Sequence, residues 1–181
     1  MRILFWILFL GLCRTSFGQM YFTEVHSRWD DRYNEWEILG MADEEELMIR
    51  VSLIWPLKNN WEEWRIDGDS VSGTIKTKWR GDLSQWELRT RNEIIMVSQD
   101  DRDDVNRWEI REGTYSEILS TLYYNNSNVW HVPQRRDNWL MSTEFNNDSR
   151  DWRVEDYMEN KSSVAFRLAM IFIALWQSIP K

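Results

Sequence analysis

The sequence predicts an all-β protein: an antiparallel meander of 22-residue hairpin repeats, curled on itself or barrel-like, with a C-terminal apolar helix packing on or into it. Three observations predict this. Trp64, Trp86, Trp108, Trp130 and Trp152 fall at successive steps of 22 residues. Short alternating runs separated by Asp, Asn and Gly lie between them. The chain then ends in a different kind of segment, apolar over almost its whole length.

The repeat is more than a surplus of tryptophan. In a chain with 13 Trp, spacing alone is only suggestive. Two further positions recur with it. Trp36 precedes the series by 28 residues, and each of the six Trp is followed two residues later by Ile38, Ile66, Leu88, Ile110, Val132 or Val154. Four residues before five of them stands Asn60, Asp82, Asp104, Asn126 or Asp148, with Arg32 in the first unit. The six extra residues of the first unit are assigned to the acidic stretch Met41 to Glu46.

In W-x-[ILV] the Trp and the aliphatic share one face of a strand, and the Arg, Glu or His between them takes the other. A second run follows about nine residues on, as Ile75-Thr77-Trp79, Leu119-Thr121-Tyr123 and Met141-Thr143-Phe145. The same pattern precedes the first unit as Val25-Ser27-Trp29. Turn residues separate the runs at Gly81-Asp82, Asp103-Asp104, Asn125-Asn126 and Asn147-Asp148, with Gly68 and Gly73 flanking another turn. Two strands and two turns per 22 residues make one hairpin per repeat. Each strand has an apolar and a charged face, so the sheet must curl, fold into two layers or be covered to keep its Trp out of water. A parallel solenoid fits these turns less well, and a transmembrane barrel requires longer strands with an apolar outer band.

The two ends read differently from the array. Residues 1–18 have the form of a secretory signal peptide, with Arg2, an apolar run from Ile3 to Leu12, and Ser16 and Gly18 before a cleavage point. Leu12 before Cys13 argues against lipidation there. Residues 19–160 form the repeat domain. Residues 161–181 belong to the same domain as an apolar segment read as helical, with Ser162 or Ser163 as N-cap and an end before Pro180. The charge-free run Leu168 to Trp176 is too short to span a bilayer. A lipid-anchor signal at Asn160 or Ser162 is a competing outline.

Composition narrows function without naming it. Cys13 is the only cysteine, so disulfides, thiol chemistry and zinc–thiolate sites are absent from residues 19–181. Net charge is −8, and the leader holds two bases and no acid, so the remainder is more acidic still. That argues against nucleic acid and against anionic lipid, and membrane association is not the expectation. No G-x-S-x-G or H-E-x-x-H motif occurs, His26 and His131 are the only histidines, and nothing singles out a pair among the 30 acids for glycoside hydrolysis. His131 reads as a solvated strand position. Asp100 to Asp104 lacks calcium-loop spacing and reads as turn formation and edge protection. Asn125, Asn147 and Asn160 begin N-x-[ST] sequons.

Periodic Trp belong to the core, so ligand contacts are sought off the period, at Trp55, Trp61 and Trp139, which show no repeat equivalent in the sequence. No catalytic residue, metal or cofactor is expected. The leading expectation is an exported, secreted or periplasmic, non-enzymatic β-repeat protein acting as a binding or envelope-associated structural module. A carbohydrate-binding or carbohydrate-active protein using the off-period aromatics is the alternative, and a carrier of a hydrophobic ligand the second.

Overall fold

The computed structural model describes residues 20–58, 60–101, 104–124, 126–133, 139–145, 148–158 and 162–179. The leader at 1–18, the sequon residues Asn125, Asn147 and Asn160, the turn residues Arg102 and Asp103, and Pro180 lie outside the described residues. Twelve antiparallel strands form one closed barrel in which sequence neighbours pair and β1 pairs with β12. They are β1 Tyr21–Trp29, β2 Arg32–Ala42, β3 Glu45–Trp55, β4 Asn60–Gly68, β5 Ser72–Trp79 and β6 Asp82–Thr90. Then follow β7 Ile94–Asp101, β8 Asp104–Glu112, β9 Tyr115–Tyr123, β10 Asn126–His131, β11 Trp139–Thr143 and β12 Asp151–Asp156. A 3-10 turn at Pro56–Lys58 lies between β3 and β4, and among the described residues one α-helix, α1 Val164–Ser178, follows β12.

The twelve strands are six repeats. In five hairpins the periodic Trp faces an apolar partner across the ladder: Trp36 with Val51, Trp64 with Ile75, Trp86 with Val97, Trp108 with Leu119 and Trp130 with Met141. The sixth hairpin is split between the ends of the chain. Trp152 of β12 pairs with Val25 of β1, so the run Val25-Ser27-Trp29 is the second strand of the last repeat rather than a prelude to the first. The barrel therefore closes by the repeat's own pairing, and no sheet edge remains for the Asp residues to protect.

Their role is local. Asn60, Asp82, Asp104, Asn126 and Asp148 each accept the backbone N–H two residues on, at 2.9 to 3.0 Å. The intervening residues bulge, so that four steps on the Trp strand face two on its partner, as between the pairs Thr77–Trp86 and Trp79–Asp82. In these five repeats the bulge brings the carbonyl of the residue three before the Trp under its indole. Trp64, Trp86, Trp108, Trp130 and Trp152 donate Nε1–H to the carbonyls of Trp61, Leu83, Val105, Ser127 and Ser149, at 2.8 to 2.9 Å. All six periodic Trp and the six aliphatics after them are buried.

The long first repeat divides its six extra residues. Trp36 to Val51 spans four more than Trp64 to Ile75, because β2 and β3 run further around the acidic stretch. The other two lie between Trp55 and Asn60, a connection of four residues where Trp79 and Asp82 are separated by two. The β2–β3 turn places Asp43 and Glu44 at positive φ, 52° and 70°. Gly73 sits so close to the Arg89 carbonyl of β6 that a Cβ would overlap it.

A twelve-stranded lumen is wider than its wall side chains can fill, since about eight strands already leave just enough room for them. Here α1 fills it. Twelve of its 15 residues are buried, on every side of the helix, which accounts for its lack of a polar face. Phe172 meets Trp86 and Trp64 edge-on at ring-centroid distances of 5.1 and 5.7 Å, and Trp176 meets Trp86 at 5.0 Å. Ser163 is the N-cap, accepting Phe166 N–H at 3.1 Å. At the far end Ser178 Oγ donates to the Ser127 carbonyl at 2.7 Å. The helix thus runs from the hairpin-turn end of the barrel to the bulged end.

The only buried cation in its apolar sequence ties helix and seam together. Arg167 Nη1 donates to the Met20 carbonyl at 2.5 Å and to Asp156 Oδ2 at 3.1 Å, while Asp156 also accepts the Phe22 and Met158 N–H groups. Burial pushes the Asp156 carboxyl above its usual range despite Arg167 and these donors. Outside the same seam, His26 lies between Asp151 at 2.9 Å and Glu24 at 3.0 Å.

Three outcomes follow. Asp104→Ala leaves the Asn106 N–H without its acceptor and lowers unfolding free energy by about 1 kcal/mol in urea titration, while Trp79→Ala stays within about 0.5 kcal/mol. Asp156→Asn strands the Arg167 charge and costs about 3 kcal/mol or more in the same assay. For His26, burial lowers the pKa, but hydrogen bonds and charges from Asp151 and Glu24 raise it above its ordinary 6.5. Stability from the imidazolium is therefore complete below that value and is lost as pH rises through the higher folded value. Melting curves should show native protein losing its advantage over His26→Asn as pH rises above the ordinary histidine value of 6.5.

Candidate functional site

The bulged end of the barrel concentrates what the core leaves out. Beyond each bulge the strand's last residue falls past the packed layers, so the alternation that buries Ile75 does not carry through to Trp79. Trp29, Trp55, Trp79, Asp101 and Tyr123 hold equivalent places, each paired with the first residue of the next strand: Arg32, Asn60, Asp82, Asp104 or Asn126. Phe145 corresponds to them before β12. The expectation that Trp29, Trp79, Tyr123 and Phe145 share the buried face is thus corrected: all four are exposed, Trp79 to 61%.

Their neighbours add to this surface. Leu57 in the β3–β4 connection is 100% exposed, Tyr124 is 86% exposed, and Leu83 and Val105 protrude where β6 and β8 begin. Nine of the 13 exposed large hydrophobic side chains among the described residues lie at this one end, and each of its six connections carries at least one. Scattered exposed apolar residues need no explanation, whereas this segregation to one end does.

Two of the indoles are held in place. Trp29 Nε1 donates to Glu35 at 3.1 Å, and Trp55 Nε1 to Glu63 at 3.0 Å, the same pair in successive repeats. Arg28 lies 5.3 Å from the Trp29 ring centroid and Lys78 lies 5.8 Å from that of Trp79. Burial pushes Glu35 up, but Arg28 at 2.6 Å and the Trp29 indole outweigh it and hold the carboxyl below its ordinary range. Glu35 therefore stays charged, and its grip on Trp29 persists, well into acid.

The three off-period Trp all have structural equivalents. Trp55 matches Trp29 and Trp79 and is 44% exposed; the two-residue lengthening of its connection hides the match in sequence. Trp61 is not a turn residue. It stands three before Trp64, where Tyr33, Leu83 and Val105 stand in other repeats, and packs half-buried between Trp64 and Trp176 at 5.8 and 6.3 Å. Trp139 continues the series Gly73, Ile95 and Glu117 at 22-residue steps and is wholly buried, out of a ligand's reach. His131, expected in solvent, is buried where β10 ends between Trp130 and Val132.

At the hairpin-turn end a cavity of about 820 Å³ opens between the β4–β5 and β6–β7 turns and the start of α1. Its charged lining is Asp69, Arg91, Glu93 and Arg167, with no histidine or cysteine. Burial and the neighbouring Glu112 push the Glu93 carboxyl up, partly offset by Ser163. Glu112 accepts the Ser163 N–H at 3.4 Å, so these carboxylates already serve the helix's positive end. No group of three or more His, Cys, Asp or Glu suited to a metal occurs among the described residues, and no described helix is long and apolar enough to cross a membrane. The chemistry on display is contact chemistry: fixed aromatic faces beside carboxylates and cations. Compared with protein-family models, curated proteins and solved structures, the chain matches none.

Proposed function

We propose that the chain is an exported, non-enzymatic module that docks end-on to a cell-envelope surface through the bulged end of its barrel. The observation that carries this reading is the segregation of nine exposed hydrophobic side chains to that end, seven of them at places that recur from repeat to repeat. Aromatic side chains held by hydrogen bonds lose little freedom on contact, so they suit a docking surface. Export rests on the signal-like residues 1–18. The carrier reading is disfavoured because α1 and the periodic indoles occupy the lumen a hydrophobic ligand would need.

Glycan binding keeps one specific support. Trp29 with Glu35 and Trp55 with Glu63 place an aromatic face beside a carboxylate, the two groups a pyranose ring uses. In co-sedimentation with isolated envelope fractions, Leu57→Ser combined with Trp79→Ser should weaken association at least about tenfold, without a change in melting temperature. Ile94→Ser and Tyr157→Ser at the opposite end should leave association unaltered. Equal binding by all variants overturns the docking reading. Binding to a glycan array that Trp55→Ala alone abolishes favours a sugar.

A further inference from the structure

We infer, on the strength of the docking reading above, that the partner of the bulged end is the headgroup layer of a zwitterionic lipid membrane. The first argument is shape. The six connections stand one sixth of the circumference apart, so their exposed side chains form neither a groove nor a strip. Trp29, Leu57, Trp79, Val105, Tyr124 and Phe145, one from each connection, can meet a single partner together only if it is flat and at least as broad as the barrel end.

The second argument is chemistry. Trp and Tyr, each with an apolar ring and a polar tip, suit the boundary between headgroups and acyl chains. Leu57, wholly exposed on the β3–β4 connection, offers them an aliphatic neighbour suited to the acyl side of that boundary. Charge narrows the lipid. Exposed Arg28, Arg32, Lys78 and Arg80 are interspersed with exposed Asp30, Asp31, Asp100 and Asp101. That mixture complements a layer carrying phosphate and ammonium together, whereas a chain of net charge −8 is repelled by an anionic one.

The wall sets the depth. Below the rim the outer face carries ion pairs such as Arg50–Glu37 and Arg89–Glu87 in place of the apolar band of a membrane-spanning barrel. The barrel rests on the membrane by its end, its apolar side chains entering only the outermost few ångströms, about 5–10 Å.

Flotation of the full chain with protein-free phosphatidylcholine vesicles tests this. The protein should float with them, and lipids brominated near the headgroup should quench part of its tryptophan emission. Leu57→Asp with Tyr124→Asp should reduce flotation at least tenfold with unchanged melting, and raising the phosphatidylserine content should reduce it for the native chain. Failure of the native chain to float overturns the lipid assignment. If envelope association still depends on Leu57 and Trp79 in that event, the docking reading stands and a glycan or protein is the partner. A concentration-dependent dimer dispersed by Leu57→Asp, without flotation, assigns the face to a second copy instead.

Discussion

The structure depends on the hydrogen bond from five of the six periodic indoles, those of Trp64, Trp86, Trp108, Trp130 and Trp152, to the carbonyl three residues before each. A buried Trp N–H without an acceptor is costly, and six of them facing one lumen would otherwise require a shared polar network. The Asp or Asn four residues before the Trp folds its own strand into a bulge and so delivers the acceptor locally. Each of these five repeats satisfies its own Trp. The lumen around these indoles can then be apolar, and repeats can be added in register until the sheet closes.

Closure at six repeats sets the next constraint. A barrel of twelve strands encloses more space than its inward side chains occupy, and the chain meets this by spending its last segment as a core. The seam and the plug are one construction, because Asp156 at the end of β12 holds both the Phe22 N–H of β1 and Arg167 of α1. A hairpin repeat forms from local contacts. The seam pairs residues more than 120 positions apart, as in His26 with Asp151, so closure comes late in folding and the helix docks with it.

The repeat and its buried Trp are legible because both follow strict periodicities in the sequence, and the polar pair before the apolar run narrows the N-cap to Ser162 or Ser163, of which the structure uses Ser163. Closure was half legible: Val25-Ser27-Trp29 has the pattern of a second strand, but only the pairing with Trp152 shows which repeat it completes. The bulged end escapes the alternation rule for a physical reason. Two-residue alternation assigns Ile75, Thr77 and Trp79 to one face, and that rule lapses where a bulge gives the partner strand two extra residues. The signal was present, as an aromatic seven residues before Trp36, Trp86, Trp130 and Trp152. Trp55 escaped it through a connection two residues longer. Trp139 seemed off-period because its equivalents are Gly73, Ile95 and Glu117, which share a place in the wall and no chemistry.

The fourth repeat separates what folding requires from what it tolerates. Asp101 occupies the place of Trp29, Trp55, Trp79 and Tyr123, and pairs with Asp104 as Trp79 pairs with Asp82. The bulge, the Asx hydrogen bond and the Trp108 indole bond form there as elsewhere. An aromatic side chain at this position is therefore not needed to build a repeat. Four repeats nevertheless carry a Trp or Tyr there, in water, where folding gains least from an aromatic ring. The same bulge that turns one Trp into the lumen sets its neighbour at the rim, so a barrel built this way obtains a ring of contact residues from its own repeat. The physical reason for filling that ring with Trp and Tyr lies outside the fold, in whatever surface the barrel end meets.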